Sequence, residues 1–208
     1  MMEEYVKIQS VFKRDEKTHK FIEGQYSLPE FEYLKDNLWD FTEKIDGTNV
    51  RVEWNAELDT LAFGGRTDNA QMPPFLLDKL REMFPWEKFR TLYPDCSMLL
   101  FGEGYGARIQ KGGGNYISNG VSCRLFDVRI GGLYLERDNV GDIADKLGVE
   151  VVPYFGVGTL LEAIAWVKEG VRSALGSCAA EGFVLRPHVE LQTRRGFRVI
   201  TKLKTKDF

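Results

Sequence analysis

Glu43-Lys44-Ile45-Asp46-Gly47-Thr48-Asn49-Val50-Arg51-Val52-Glu53-Trp54 passes from a charged turn into a strand. Val50, Val52 and Trp54 alternate with polar residues, the period of a half-buried strand. Asp46-Gly47 in front of them is a turn signal. Asn55 to Asp59 is polar turn material, and Thr60 to Arg66 reads as the returning strand. Lys44 has two readings here. Beside a solvated hairpin it does nothing chemical. As a nucleophile it needs a lone pair, which neighbouring cations or a bound metal would help to expose.

Further along the chain lie groups that suit the second reading. Ser97 to Phe101 is a buried strand ending at Gly102, with Glu103 directly after it. Cys123 to Ile130 and Leu133 to Glu136 form two strands around a Gly131-Gly132 turn, and the first carries Phe126 and Asp127. Gly182 to Arg186 is a strand headed by Glu181. In Phe197 to Leu203 and Lys204, alternation puts Lys202 and Lys204 on one face. Val151 to Phe155 is a further strand. Helices are expected at Leu28 to Leu38, Phe75 to Phe84, Asp138 to Leu147 and Thr159 to Lys168. In the last, Thr159 and Glu162 make a capping box, and Leu160, Leu161, Ile164, Ala165 and Val167 an apolar stripe. Irregular mixing of strands and helices, without βαβ alternation, predicts an α+β fold with largely antiparallel sheets.

Five of these patterns, in this order, resemble the covalent nucleotidyltransferase superfamily of DNA ligases, RNA ligases and mRNA capping enzymes. They are Lys44-Ile45-Asp46-Gly47, Phe101-Gly102-Glu103, Leu125-Phe126-Asp127, Glu181-Gly182-Phe183-Val184 and Lys202-Leu203-Lys204. Thr48 and Asn49 after the first pattern resemble the RNA-ligase branch, phage-type enzymes in particular. The resemblance implies an α+β nucleotidyltransferase (ATP-grasp-like ligase) domain, its antiparallel sheets flanking an ATP cleft, over residues 1–208 as a single domain. Phe208 follows the last pattern so closely that no OB-fold is expected, whether the chain is an excised catalytic domain or a compact enzyme.

The resemblance also implies roles. Lys44 would attack the α-phosphorus of ATP and form lysyl-AMP, with Lys202 and Lys204 on the α-phosphate. Phe126 would stack on adenine and Glu103 bind the ribose. Arg66, Asn49 and Glu43 would lie at the nucleotide, Glu43 without a defined task. Glu181 would hold Mg2+ or Mn2+. Asp46 would shape the turn, and Asp127 would orient other groups or pair with a basic one. Arg108-Ile109-Gln110-Lys111-Gly112-Gly113-Gly114-Asn115-Tyr116 resembles loops that touch the ATP tail or the RNA end, and reads equally as a hairpin tip.

The partners implied are RNA ends carrying a 5′-phosphate and a 3′-hydroxyl, with DNA ends a further option, for an RNA repair enzyme acting as a monomer in the cytoplasm of a cell or of a phage-infected host. The alternatives are a minimal ATP-dependent DNA ligase and an inactive nucleic-acid-binding module of the same fold.

Composition narrows the rest. With 43% apolar and 28% charged residues the chain has enough core-formers to exclude disorder. A formal charge of −3 leaves no global basic field, so any nucleic-acid surface must be local. Cys96, Cys123 and Cys178 lack metal-site spacing and an even count, which argues against both zinc and a disulfide framework. No apolar run approaches the roughly 18 residues of a membrane span.

Overall fold

The computed structural model describes residues 2–208. In chain order its strands are β1 (Gln9–Ser10), β2 (Phe12–Arg14), β3 (Phe21–Tyr26), β4 (Leu38–Lys44), β5 (Thr48–Asn55), β6 (Thr60–Gly64), β7 (Met98–Gly106), β8 (Val121–Ile130), β9 (Leu133–Tyr134), β10 (Glu150–Val151), β11 (Tyr154–Thr159), β12 (Gly182–Pro187) and β13 (Thr201–Lys204). The helices are α1 (Pro29–Tyr33), α2 (Pro74–Met83), α3 (Trp86–Leu92), α4 (Arg137–Leu147) and α5 (Leu160–Glu169). Strand pairing is antiparallel except at β1–β13 and β8–β10. The α+β expectation therefore holds. Among the described residues no helix is long and apolar enough to cross a membrane.

The chain resolves into two compact units. One joins the segment through Val6 to Asp46–Val152; the other joins Lys7–Ile45 to Pro153–Phe208. The first is built on a sheet in the order β10-β8-β7-β5-β6, with β9 added to β8. Val50, Val52 and Trp54 of β5, Leu100 of β7 and Leu125 and Val128 of β8 pack with Leu76 and Leu80 of α2, Phe89 of α3 and Leu147 of α4. Alternation therefore leaves Asn49, Arg51, Phe101 and Glu103 on the face away from those helices.

The second unit is a sheet in the order β1-β13-β12-β4-β11. Trp39, Phe41, Phe183, Leu185 and Leu203 face Leu160, Ala163, Ile164 and Val167 of α5. The capping box is present. Glu162 N donates to Thr159 Oγ1 at 3.2 Å, and Thr159 N to Glu162 Oε2 at 2.7 Å. The buried stripe of α5 is Leu160, Ala163, Ile164 and Val167, whereas Leu161 and Ala165 are exposed.

Four expectations need correction. The helix over Leu28 to Leu38 stops at Tyr33. A turn follows, tied by Trp39 Nε1 donating to the Leu34 carbonyl at 2.9 Å, and Leu38 then opens β4. The strand ending at Gly102 runs on to Gly106, so Glu103 lies within a strand and not after it. Val151 to Phe155 breaks at Val152-Pro153 into β10 and β11, because proline has no N–H for the ladder. Phe197 to Ile200 is not strand: the chain turns at Gly196, whose N–H meets the Thr193 carbonyl, and β13 begins only at Thr201.

Candidate active site

The singled-out residues divide between the units. Lys44, Glu181, Lys202, Lys204 and Glu43 belong to the second; Asn49, Arg66, Glu103 and Phe126 belong to the first.

In the second unit, β12 runs between β4 and β13, and Gly182 is the register partner of both Lys44 and Lys204. Trp39, Phe41 and Leu203 point to the α5 core, so strand alternation sends Lys44, Lys202 and Lys204 to the other face. Gly182 puts no side chain between the two lysines. It cannot, since a Cβ there would overlap the Leu203 carbonyl and its φ is 149°. Across that gap Glu181 reaches both. Its Oε2 lies 2.5 Å from Lys44 Nζ and its Oε1 2.5 Å from Lys204 Nζ. The Glu181 side chain is 11% exposed and each lysine 21%. Burial alone would push the Glu181 carboxyl up, but Lys44 and Lys204 together outweigh it and hold it below the usual carboxylate range.

Lys202 pairs with Val184, one row away, and completes a cluster of three ammonium groups around one carboxylate. It is pushed down to about 8, first by burial and then by the charges of Lys204, Lys44 and Arg14. The surplus positive charge is suited to a phosphate group, and it lowers the cost of releasing a proton from the cluster.

Glu43 is on the opposite side of β4 from Lys44 and only 2% exposed. It accepts from Ser173 Oγ at 2.5 Å and from Ala174 N at 2.9 Å. That loop folds back through Ala180 N on the Val171 carbonyl, immediately before Glu181. Glu43 thus anchors the segment leading to Glu181 and does not join the lysine cluster.

In the first unit Asn49 and Glu103 are directly opposed register partners on β5 and β7. Glu103 is flanked by Gly102 and Gly104 because the alternate face is crowded. A Cβ at Gly102 would lie 2.7 Å from Cys123 Sγ, and one at Gly104 would lie 2.9 Å from a Leu76 methyl. Gly47 abuts the same carboxylate, with Glu103 Cγ 2.8 Å from where its Cβ would be. Asn49 Oδ1 is buried without a hydrogen-bond donor among the described residues, the condition of an acceptor that suits a ligand donor.

Phe126 sits at a β-bulge. Phe101 pairs with Asp127 and Gly102 with Leu125, which leaves Phe126 without a partner on β7. A bulge re-aims the extra side chain. Asp127 is 1% exposed and accepts a hydrogen bond from the Tyr5 hydroxyl. Arg66 is exposed, just past the end of β6. Beside it Gly65 offers its carbonyl to the fully buried Arg51 at 2.5 Å, and Arg51 also pairs with Asp68 at 3.0 Å. The glycine-rich segment holds the motif turn: Gln110 Nε2 donates to the Gly47 carbonyl at 3.0 Å, and Asp46 N donates to the Tyr116 hydroxyl at 3.1 Å.

Among the described residues no three His, Cys, Asp or Glu side chains converge as a metal cage. Glu181 alone is a hard oxygen donor in the lysine cluster. This donor set fits Mg2+ or Mn2+ only when phosphate oxygens and water complete the shell, which is the ordinary mode for Mg2+ at nucleotides.

No curated protein matches the chain. Its fold is shared by Naegleria gruberi RNA ligase structures. A point variant without ligand aligns at 18% identity with a TM-score of 0.72, covering 99% of this chain and 56% of that one. A variant with ATP and Mn gives 18% and 0.71 over the same shares. Another, with AMP and Mn, gives 20% and 0.66 over 86% of this chain and 52% of that one. The chain thus spans little more than half the length of these proteins. The RNA ligase family model matches residues 38–204, a span that takes in Lys44, Glu103, Phe126, Glu181, Lys202 and Lys204. With that match over most of its length, the chain belongs to the RNA ligase family.

Proposed function

We propose that this chain carries the adenylyltransferase chemistry of an ATP-dependent RNA ligase, with Lys44 as the nucleophile. The observation that carries the reading is the Glu181 carboxylate bridging Lys44 and Lys204 across Gly182, with Lys202 in the next row. Phosphoryl transfer asks little of a protein beyond a nucleophile, alignment and cations on the developing charge. A lysine held beside two further ammonium groups supports these roles. The neutral Lys44 amine forms an N–P bond to the ATP α-phosphorus as the P–O bond to pyrophosphate breaks, and pyrophosphate leaves with the electron pair. The amine proton passes to solvent. Lys202 and Lys204 stabilise the α-phosphate oxygens during that displacement.

Glu103 and Asn49 take the ribose side of the nucleotide, Phe126 the adenine face, and Arg66 a further nucleotide contact. The opposed register of Asn49 and Glu103 and the donor-free Asn49 Oδ1 support this part of the reading. Mg2+ or Mn2+, held by Glu181 with phosphate oxygens and water, would supply charge neutralisation on the phosphates. The lysyl-AMP then passes its AMP to a 5′-phosphate on RNA, regenerating Lys44. A 3′-hydroxyl attacks the activated phosphate, the strand is joined, and AMP leaves.

The test is incubation with α-labelled ATP and Mg2+, a denaturing gel and peptide mapping. Label on Lys44 that is lost in Lys44→Ala and released by pyrophosphate or by 5′-phosphorylated RNA supports the proposal. Folded protein that takes no label, or label retained in Lys44→Ala, overturns it.

A further inference from the structure

Residues 2–6 lie outside the span matched by the RNA ligase family model, yet the sheet of the first unit holds them at three points. The buried Arg51 guanidinium donates to the carbonyls of Met2 at 2.5 Å and Glu3 at 3.2 Å. The Glu3 carboxylate pairs with Arg129. The Tyr5 hydroxyl donates to the buried carboxylate of Asp127. Between these anchors the Tyr5 ring, 8% exposed, enters an aromatic group. Its centroid is 4.9 Å from Phe101, 5.0 Å from Phe126 at an interplanar angle of 68°, and 6.1 Å from Tyr134 at 87°.

The contact with Phe126 matters because of the bulge. On a regular strand a side chain is held by its cross-strand neighbours. Phe126 has no register partner on β7, so its ring plane must be fixed otherwise. Tyr5 meets it edge-on, and the bond to Asp127, the very next residue, locks Tyr5 to the same bulge. The arrangement also bears on Asp127: a buried carboxylate requires hydrogen-bond donors, and the arm's own hydroxyl is one of them.

We propose that Tyr5 is a positioning residue for adenine recognition, holding the bulged Phe126 ring in the plane on which the base stacks. The proposal rests on the reading of Phe126 as the adenine platform. A ring fixed before the nucleotide arrives spares the ordering cost that a swinging ring would add to binding, so the loss falls on ATP affinity and not on the chemical step.

The experiment measures self-adenylylation of the whole chain against ATP concentration for Tyr5→Ala, Tyr5→Phe, Phe126→Ala and the Tyr5→Ala/Phe126→Ala double variant, with circular dichroism to check folding. Loss of an edge-on aromatic contact raises the KM for ATP about threefold to tenfold in Tyr5→Ala, with kcat little changed. Tyr5→Phe, which keeps the ring but loses its anchor, gives a smaller rise. The double variant is no worse than Phe126→Ala, because Tyr5 acts through that ring. A raised KM in Phe126→Ala beside an unchanged KM in Tyr5→Ala overturns the proposal alone, as do penalties that add in the double variant. An unchanged KM in Phe126→Ala defeats the adenine reading and this proposal with it. If Tyr5→Ala does not fold, Tyr5→Phe decides: a raised KM supports the proposal and an unchanged one overturns it.

Discussion

Replacing Glu181 by glutamine removes one negative charge while leaving the side chain's size and one carbonyl acceptor in place. The structure says what that charge does: it stands 2.5 Å from each of two ammonium groups. Breaking a buried ion pair by deleting one partner costs about 3–5 kcal/mol. Here the carboxylate is 11% exposed and the lysines 21%, so solvent screens part of the loss, and the remaining amide still accepts a hydrogen bond. A destabilisation of about 2–3 kcal/mol is expected, roughly 5–10 °C in Tm for a chain of this size. The pH dependence supplies a sharper check. The folded Glu181 carboxyl sits below the usual range, so its stabilisation is present above the unfolded value near ~4.3 and is lost as pH falls through the folded value. The Tm gap between wild type and Glu181→Gln should therefore be full at neutral pH and close in acid. Melts followed by circular dichroism from neutral to acid pH test this. Equal Tm values at neutral pH, or a gap that persists once the wild-type carboxylate is protonated, would refute the bridging role. The same variant should lose most metal-dependent label transfer from ATP.

Gly47→Ala should raise the KM for ATP and lower stability, because the new methyl meets the Gly104 carbonyl and displaces the Glu103 side chain. Titration of the variant with ATP against its melting curve separates the two effects. Label transfer in the wild type should fall as pH rises through the Lys202 value of about 8, because Lys202 there loses the charge it places on the α-phosphate. Lys202→Met should lower label transfer and remove that decline, and a decline that persists in the variant would take Lys202 out of the titration. Lys202 also carries a stability signature: its folded pKa is depressed, so its charge opposes folding below about 8 and stability gains as pH rises from there toward the ordinary lysine range. Burial pushes the Cys123 thiol up and shields it, so alkylation of native protein should mark the half-buried Cys96 and Cys178 and leave Cys123 unmodified until denaturant is added. Mass mapping reads this directly.

What the sequence made legible follows from the range of each signal. The α5 cap is written in Thr159 and Glu162, three residues apart, and the β8–β9 turn in Gly131-Gly132. Such local chemistry survives folding unchanged. The strand bearing Lys44 was within reach too. Trp39 and Phe41 alternate with Asp40 and Thr42, and the expected helix over Leu28 to Leu38 obscured where that alternation begins. The same alternation put Lys202 and Lys204 on one face without help from tertiary structure. Three features had no local signal. Glu43 reads as a neighbour of Lys44 until the strand turns it toward Ser173, far along the chain. The bulge at Phe126 is silent because Cys123 to Ile130 scans as one unbroken strand. Tyr5 meets Asp127 across almost the entire first unit, which no window of sequence can contain.

These silent features share a physical origin. A regular strand distributes its side chains by alternation alone, which suffices to collect three lysines but not to hold a single carboxylate between two of them. That is done by Glu181, which reaches Lys44 and Lys204 together from just before Gly182, where an absent Cβ lets the strand lie against the Leu203 carbonyl. Alternation also would pair Phe126 with a β7 neighbour; the bulge withdraws that partner and leaves the ring to be set by Tyr5. At Phe126 the ladder departs from regularity, and at Gly182 it stays in register without a side chain, each beside a residue assigned to the nucleotide. Each place is tied by a long-range contact: the Glu43 anchor before Glu181 in one unit, and the Tyr5–Asp127 bond in the other. If that relation is causal, Glu43→Gln should weaken label transfer by disordering the approach to Glu181 while leaving the KM for ATP nearly unchanged, whereas Tyr5→Phe should do the reverse. Both variants failing in the same parameter would show that the two anchors merely stabilise the fold.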